Sequence, residues 1–241
     1  MNSRTPRLTA YRPAFVLLLS TVAALCATVF LLMLLGPGAA QAQSSILYVD
    51  ANAGGAGDGS SWDNAYPTLQ DALAVAASGD EIWVAASVYY PDEGAGQTND
   101  DRTSTFMLQN GVAIYGGFDG TEAQREERDW ENNITVLSGD IDHETFPDST
   151  DVDGVVNDAE DISGENAYHV VTSIDTDSSA VLDGFIITAG SADGLVFPDD
   201  GGGGLAAIGF SENVPAAQSN AFDGNSNLTL LNVDFTGDLA L

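Results

Sequence analysis

Ala180-Val181-Leu182-Asp183-Gly184-Phe185-Ile186-Ile187-Thr188 lines up with Leu228-Thr229-Leu230-Leu231-Asn232-Val233-Asp234-Phe235-Thr236. Each segment is a short apolar or β-branched run, a two-residue bend and a second run, the pattern of two strands meeting at a corner. Gly184 and Asn232 hold the same place in the bend, and both tolerate left-handed backbone. Leu205 falls between the two segments, 24 residues after Val181 and 24 before Thr229. Ile82 to Phe106 is another step of 24, and Val112 to Ile134 is a step of 22. A recurring period of this size signals stacked repeats, in which a unit buries its apolar face only against its neighbours. Leucine-rich repeats share the period, but their L-x-x-L-x-L-x-x-N pattern is missing and no helix recurs in each unit. A β-sandwich stays open, since turn-bounded strands suit it too. The matched corner residues favour an all-β chain wound as a right-handed parallel β-helix.

Outward from this pair, further short strands are expected at 46–49, 81–85, 105–108, 112–115, 134–137, 169–172 and 205–208, each bounded by Gly, Asp or Asn. The one convincing helix after residue 42 is expected at 68–77. Thr68 can cap it, Asp71 sits near its positive end, and Leu69, Ala72, Leu73 and Ala76 share a face. Gly79 stops it. An open end of stacked strands exposes apolar core and unpaired edges. A helix ahead of the first full coil, with Leu69, Leu73 and Ala76 inward, would cap that end.

Residues 1–42 read as an export signal: Arg4, Arg7 and Arg12, an apolar run from Ala14 to Leu35, then Gly36-Pro37 and Ala40-Gln41-Ala42. An uncleaved anchor is the alternative, because the run is long enough to span a bilayer. The expected division is therefore 1–42 signal, 43–80 first strand and capping helix, and 81–241 coils with an acidic loop at about 139–165. The lone cysteine, Cys26, lies inside the signal, so no disulfide staples the rest. There is no lysine, and beyond residue 42 only Arg102, Arg125 and Arg128 oppose all 36 acidic residues. Such a surface repels nucleic acid, anionic lipid and acidic polysaccharide, and attracts divalent cations. No membrane contact is expected of the exported part.

Tyr48-Val49-Asp50, Gly59-Ser60-Ser61-Trp62, Leu69-Gln70-Asp71-Ala72-Leu73, Ile82-Trp83-Val84-Ala85, Tyr115-Gly116-Gly117-Phe118, Gly120-Thr121-Glu122, Arg128-Asp129, Leu137-Ser138-Gly139-Asp140, Tyr168-His169-Val170-Val171 and Leu182-Asp183-Gly184-Phe185 occur in that order. As a set they resemble exported bacterial parallel β-helix proteins of the pectin-lyase-like superfamily, whose members carry labels such as polymorphic outer membrane protein or probable pectate lyase. The resemblance covers most of residues 46–210. Ser87 stands where that pattern usually has Gly. It implies secretion or display at a bacterial cell surface, and more coils than this chain holds, so a truncated, N-terminal piece is expected.

Two constellations could carry chemistry. Ser149-Thr150-Asp151-Val152-Asp153-Gly154-Val155-Val156-Asn157-Asp158-Ala159-Glu160 has the spacing of a calcium loop, with Asp151, Asp153, Asn157 and Glu160 as candidate ligands and Gly154 at the sharp turn. It departs from that pattern at Ser149, where an aspartate is usual, and the alternative is a solvated acidic excursion. Gly139-Asp140-Ile141-Asp142-His143 has carboxylates two apart, which share a face if the stretch is a strand. They are either a paired acid and base or Asp side chains capping turn backbone. No nucleophile can be placed beside His143 or His169. Gly201 to Gly204 precedes no helix and reads as a tight turn rather than a phosphate loop. The expected function is a non-catalytic exported stalk for surface display, adhesion or contact with a polysaccharide or other cell-surface glycan. The alternative is a polysaccharide lyase or hydrolase with catalytic coils beyond Leu241.

Overall fold

The computed structural model describes residues 44–143, 148–151, 153–195, 199, 201–208 and 226–240. The expected export signal at 1–42 lies outside them, as do Val152 and 144–147 of the acidic loop. Twelve strands are named among the described residues: β1 Ile46–Val49, β2 Glu81–Ala85, β3 Val88–Tyr89, β4 Phe106–Leu108, β5 Ala113–Phe118, β6 Val136–Ser138, β7 Val171–Ile174, β8 Val181–Thr188, β9 Ser191–Ala192, β10 Leu205–Ile208, β11 Thr229–Thr236 and β12 Leu239–Ala240. Every pairing between them is parallel.

The strands fall into three sheets. The largest runs β1-β2-β5-β8-β6-β3, with β11 also on β8. Strand β8 turns a corner within it: Val181–Asp183 pair with β5, and Ile186–Thr188 pair with β6. A second sheet is β10-β7-β4 and a third is β12-β9. Alternation along the strands sorts side chains to two faces. Leu47, Ile82, Ile114, Leu182 and Leu230 stand in register in one column, and all five belong to the apolar core or pack on it. Phe106, Leu108 and Val171 of the second sheet, and Tyr89, Leu137 and Ile187 of the β3-β6-β8 limb, meet them there. Each such side chain contributes roughly 1.5–3 kcal/mol by leaving water.

The expected alignment of 180–188 on 228–236 is the observed register, from Thr229 on Val181 to Thr236 on Thr188. The step of 24 is not the stacking repeat. Leu205 pairs with Val171 in a different sheet, and Ile82 pairs with Ile114 rather than with a residue near Phe106. An apolar run recurs whenever the chain passes the core, and the chain passes it on more than one sheet before it stacks on itself. Sequence period counts passages, whereas pairing counts layers.

The expected helix is present but short, α1 Leu69–Leu73. Thr68 caps it through Oγ1, which accepts from the Asp71 N–H at 3.3 Å. Leu69, Ala72 and Leu73 are buried. Asp80 draws the chain away from helix geometry before residue 77: its carboxylate accepts from the Ala77 N–H at 2.9 Å and the Ser45 N–H at 2.9 Å, tying this segment to the start of β1. Gln70 is buried too, and its Nε2 donates to the carbonyls of Pro91 and Thr105 at 2.6 and 3.0 Å.

The other face of the large sheet is covered by the segment after β5. Its column reads Tyr48, Trp83, Tyr115, Asp183, Leu231. Trp83 stacks on Phe118 at 4.8 Å, Tyr48 meets Trp62 edge-on, and the Trp62 indole N–H donates to the Glu122 carbonyl at 2.9 Å. These contacts fix residues 119–130 against the sheet and so fix what they carry.

Candidate functional site

The corner of the large sheet is built from backbone that side chains resist. Gly117, Gly184 and Asn232 have φ of 89°, 85° and 47°. A Cβ on Gly184 would stand 2.8 Å from Arg128 Nη1 and 3.2 Å from Trp130 Cβ. The close approach lets Arg128 lie along the corner. Gly184→Ala is expected to destabilise the fold by about 2–3 kcal/mol, combining left-handed strain with displacement of Arg128. Urea unfolding of the variant measures it, and a loss below about 0.5 kcal/mol would contradict the packing.

Arg128 Nη2 meets Asp183 Oδ2 at 2.5 Å, and Nη1 donates to the carbonyls of Gly116 and Asp183, both at 3.1 Å. Both side chains are buried, Arg128 at 8 % and Asp183 at 7 % exposure. The Asn232 amide donates to Asp183 Oδ1 at 2.8 Å. The guanidinium also lies over the Trp130 ring at 4.8 Å, a cation–π contact that orients the indole. Trp130 remains 39 % exposed. Together with Glu131, Ile134, Asn232 and Asp234 it borders a groove of about 430 Å³. The groove thus offers an aromatic face, two carboxylates and an amide on a rigid sheet corner. Stacking and planar hydrogen bonding are the interactions it can make.

The basic residues are committed elsewhere. Arg125 Nη1 pairs with Glu81 Oε1 at 2.7 Å and donates to the Tyr115 hydroxyl at 3.1 Å. Arg102 binds Asp193 at 2.5 Å and the Asn166 carbonyl at 2.6 Å. The stretch with Arg125 and Arg128 carries a 3₁₀ turn Arg125–Glu127 closed by a Gln124–Glu127 capping box.

The calcium-loop candidates are only partly brought together. Asp151 Oδ1 accepts from the N–H groups of Val155 at 3.1 Å and Asp153 at 2.9 Å, and Oδ2 from the Asn157 amide at 3.4 Å. The Val155 and Asp153 donors hold the Asp151 carboxyl below its ordinary value. Gly154 makes the turn with φ 81°. Asp153 is exposed, and Glu160 is exposed in the 3₁₀ turn Ala159–Asp161. The Asp140 and Asp142 pair behaves differently. Residues 141–143 form a turn, not a strand, and both carboxylates are buried. Burial pushes the Asp140 carboxyl up to about 6, against the pull of the Asp148 N–H.

The sequence reading missed the groove. Asn232 was legible as a corner residue, and Arg128-Asp129 as part of a pattern, but nothing local tied Trp130 to Asp234. Compared with protein-family models, with curated proteins and with solved structures, the chain matches none.

Proposed function

We propose that the protein is an exported, non-catalytic parallel β-helix of the pectin-lyase-like kind, displayed or released at a bacterial surface, that contacts a neutral glycan through the Trp130 groove. The observation that carries the reading is the exposed Trp130 ring, oriented by Arg128 and flanked by Glu131, Asn232 and Asp234. An aromatic face with a few polar groups beside it suits a sugar ring's apolar face and hydroxyls. The strong net negative charge argues for a neutral partner. In this reading β8 and β11 are successive coils, and α1 with Leu69 and Leu73 caps the N-terminal end. Lyase chemistry needs a cationic base and cationic substrate-binding groups. All three arginines beyond residue 42 are instead paired with carboxylates.

The test is calorimetric titration with neutral hexasaccharides built on cellulose, xylan and mannan, with reducing ends and unsaturated products assayed in the same samples. Wild type is expected to bind at least one series without releasing product. Trp130→Ala is expected to weaken that binding at least about tenfold, since loss of a buried aromatic contact costs roughly 1.5 kcal/mol or more. No binding by wild type, or equal binding by Trp130→Ala, would remove the groove from the proposal. Product release would favour the lyase or hydrolase reading.

A further inference from the structure

Between Gly139 and Asn166, acceptor oxygens are buried that no group among the described residues satisfies. Asp140, Asp142 and Asp148 are 4 %, 6 % and 6 % exposed, and Asn166 is 1 % exposed. One oxygen each of Asp140 and Asp142, and both of Asp148, are accounted for. Asp140 Oδ2 accepts from the Asp148 N–H at 3.0 Å, and Asp142 Oδ2 from the Glu165 N–H at 3.0 Å. Asp148 Oδ1 accepts from the Ser163 N–H at 2.5 Å and Oδ2 from the Asn166 amide at 2.7 Å. Asp140 Oδ1, Asp142 Oδ1 and Asn166 Oδ1 are buried with no donor among the described residues.

The residues that carry these three atoms are tied into one small network by their other polar atoms. Asp140 and Asn166 face each other in an antiparallel bridge. Asp142 is held by the residue before Asn166, and Asp148 joins the other two, giving its N–H to Asp140 and taking the amide of Asn166. The Asn166 amide cannot swing to bring a donor inward. Its Nδ2 is bound by Asp148 and by the Ala189 carbonyl at 2.8 Å, which fixes where the oxygen sits.

Buried polar atoms without partners are rare, and buried charges are paired or coordinate a metal. The chain has no lysine, the arginines among the described residues are all paired with carboxylates, and the His143 imidazole beside Asp140 offsets only part of the effect of burial. A water could donate to two of the three oxygens but would leave both negative charges in place. A hard divalent cation answers all three oxygens and both charges. Among the described residues no three Asp, Glu, His or Cys side chains form a metal-ligand group. The set here is different, two carboxylates and an amide oxygen. Calcium takes that mixture and completes its shell with backbone carbonyls and water, whereas metals that favour imidazole or thiolate do not select it.

We propose that Asp140, Asp142 and Asn166 form a calcium site that fastens the acidic excursion to the sheet at the end of β6. This site is distinct from the 149–160 loop, where Asp151 spends its oxygens on its own turn. It is independent of the glycan groove.

The experiment is calorimetric titration of the chelator-treated protein with calcium chloride against a constant sodium chloride background. One calcium per chain is expected. Asp142→Asn, which keeps an acceptor for the Glu165 N–H, is expected to raise the dissociation constant at least tenfold. Asp151→Asn and Glu160→Gln are expected to leave it within twofold. Absence of saturable calcium binding, or an Asp151→Asn or Glu160→Gln loss as large as that of Asp142→Asn, would overturn the assignment. Should Asp142→Asn fail to fold, crystals of wild type grown in calcium decide: an anomalous peak within coordination distance of Asp140 Oδ1 and Asn166 Oδ1 is expected, and calcium bound elsewhere with none there refutes the site.

Discussion

Arg128→Ala is expected to cost about 3–5 kcal/mol of folding stability, the usual range when one partner of a buried ion pair is removed. The effect exceeds that of a surface bridge because Arg128 and Asp183 have side chains only 8 % and 7 % exposed. Truncation strips Asp183 Oδ2 of its guanidinium and leaves the carboxylate with the Asn232 amide on its other oxygen. It also frees the carbonyls of Gly116 and Asp183. Urea unfolding measures the loss as a fall in midpoint at unchanged slope. Asp183→Asn in the Arg128→Ala background is expected to recover part of it, because the stranded charge is gone. A loss under about 1 kcal/mol in the single variant, or no recovery in the double, would mean that water reaches the pair and screens it.

Asp238→Asn is expected to remove a pH dependence worth about 4 kcal/mol. Burial pushes the Asp238 carboxyl up to about 7 from an ordinary 3.8, and the Gly190 N–H on Oδ1 offsets only part of this. Its other oxygen is buried without a donor among the described residues. The folded pKa is the higher one, so between about pH 4 and 7 the folded chain keeps a proton that the unfolded chain has released. Its contribution is therefore complete below pH 4 and is lost as pH rises through about 7, at about 1.4 kcal/mol per pH unit. Asparagine keeps the acceptor for Gly190 and cannot ionise. Denaturant melts at pH 4, 6 and 8 should show the variant gaining on wild type as pH rises, with the largest difference at pH 8. Parallel stability profiles would show that Asp238 ionises in the fold as readily as in the open chain.

The local part of this fold is written in local chemistry. Thr68 and Asp71 announce a cap because a hydroxyl three residues before an N–H can reach it. Gly184 and Asn232 announce a corner because few residues accept positive φ. The apolar runs announce strands because β-branched side chains fit a pleated surface. Other features needed residues far apart in sequence. Asp80 reaches back to Ser45 and shortens the helix. Arg128 finds Asp183, 55 residues on. Trp130 and Asp234 border one groove only because β11 lies on β8.

The sequence by itself therefore determined most of the strands, the corner, the start of the capped helix and the residue-by-residue correspondence of 229–236 with 181–188, since steric preference and alternation act within a few residues. Only the tertiary structure decided which strand stacks on which, why a step of 24 is not a layer, where the groove opens and which carboxylates are buried without donors. Those outcomes depend on pairings between distant segments. Their energies come from shared burial and from charges brought together, and neither leaves a periodic mark on the chain.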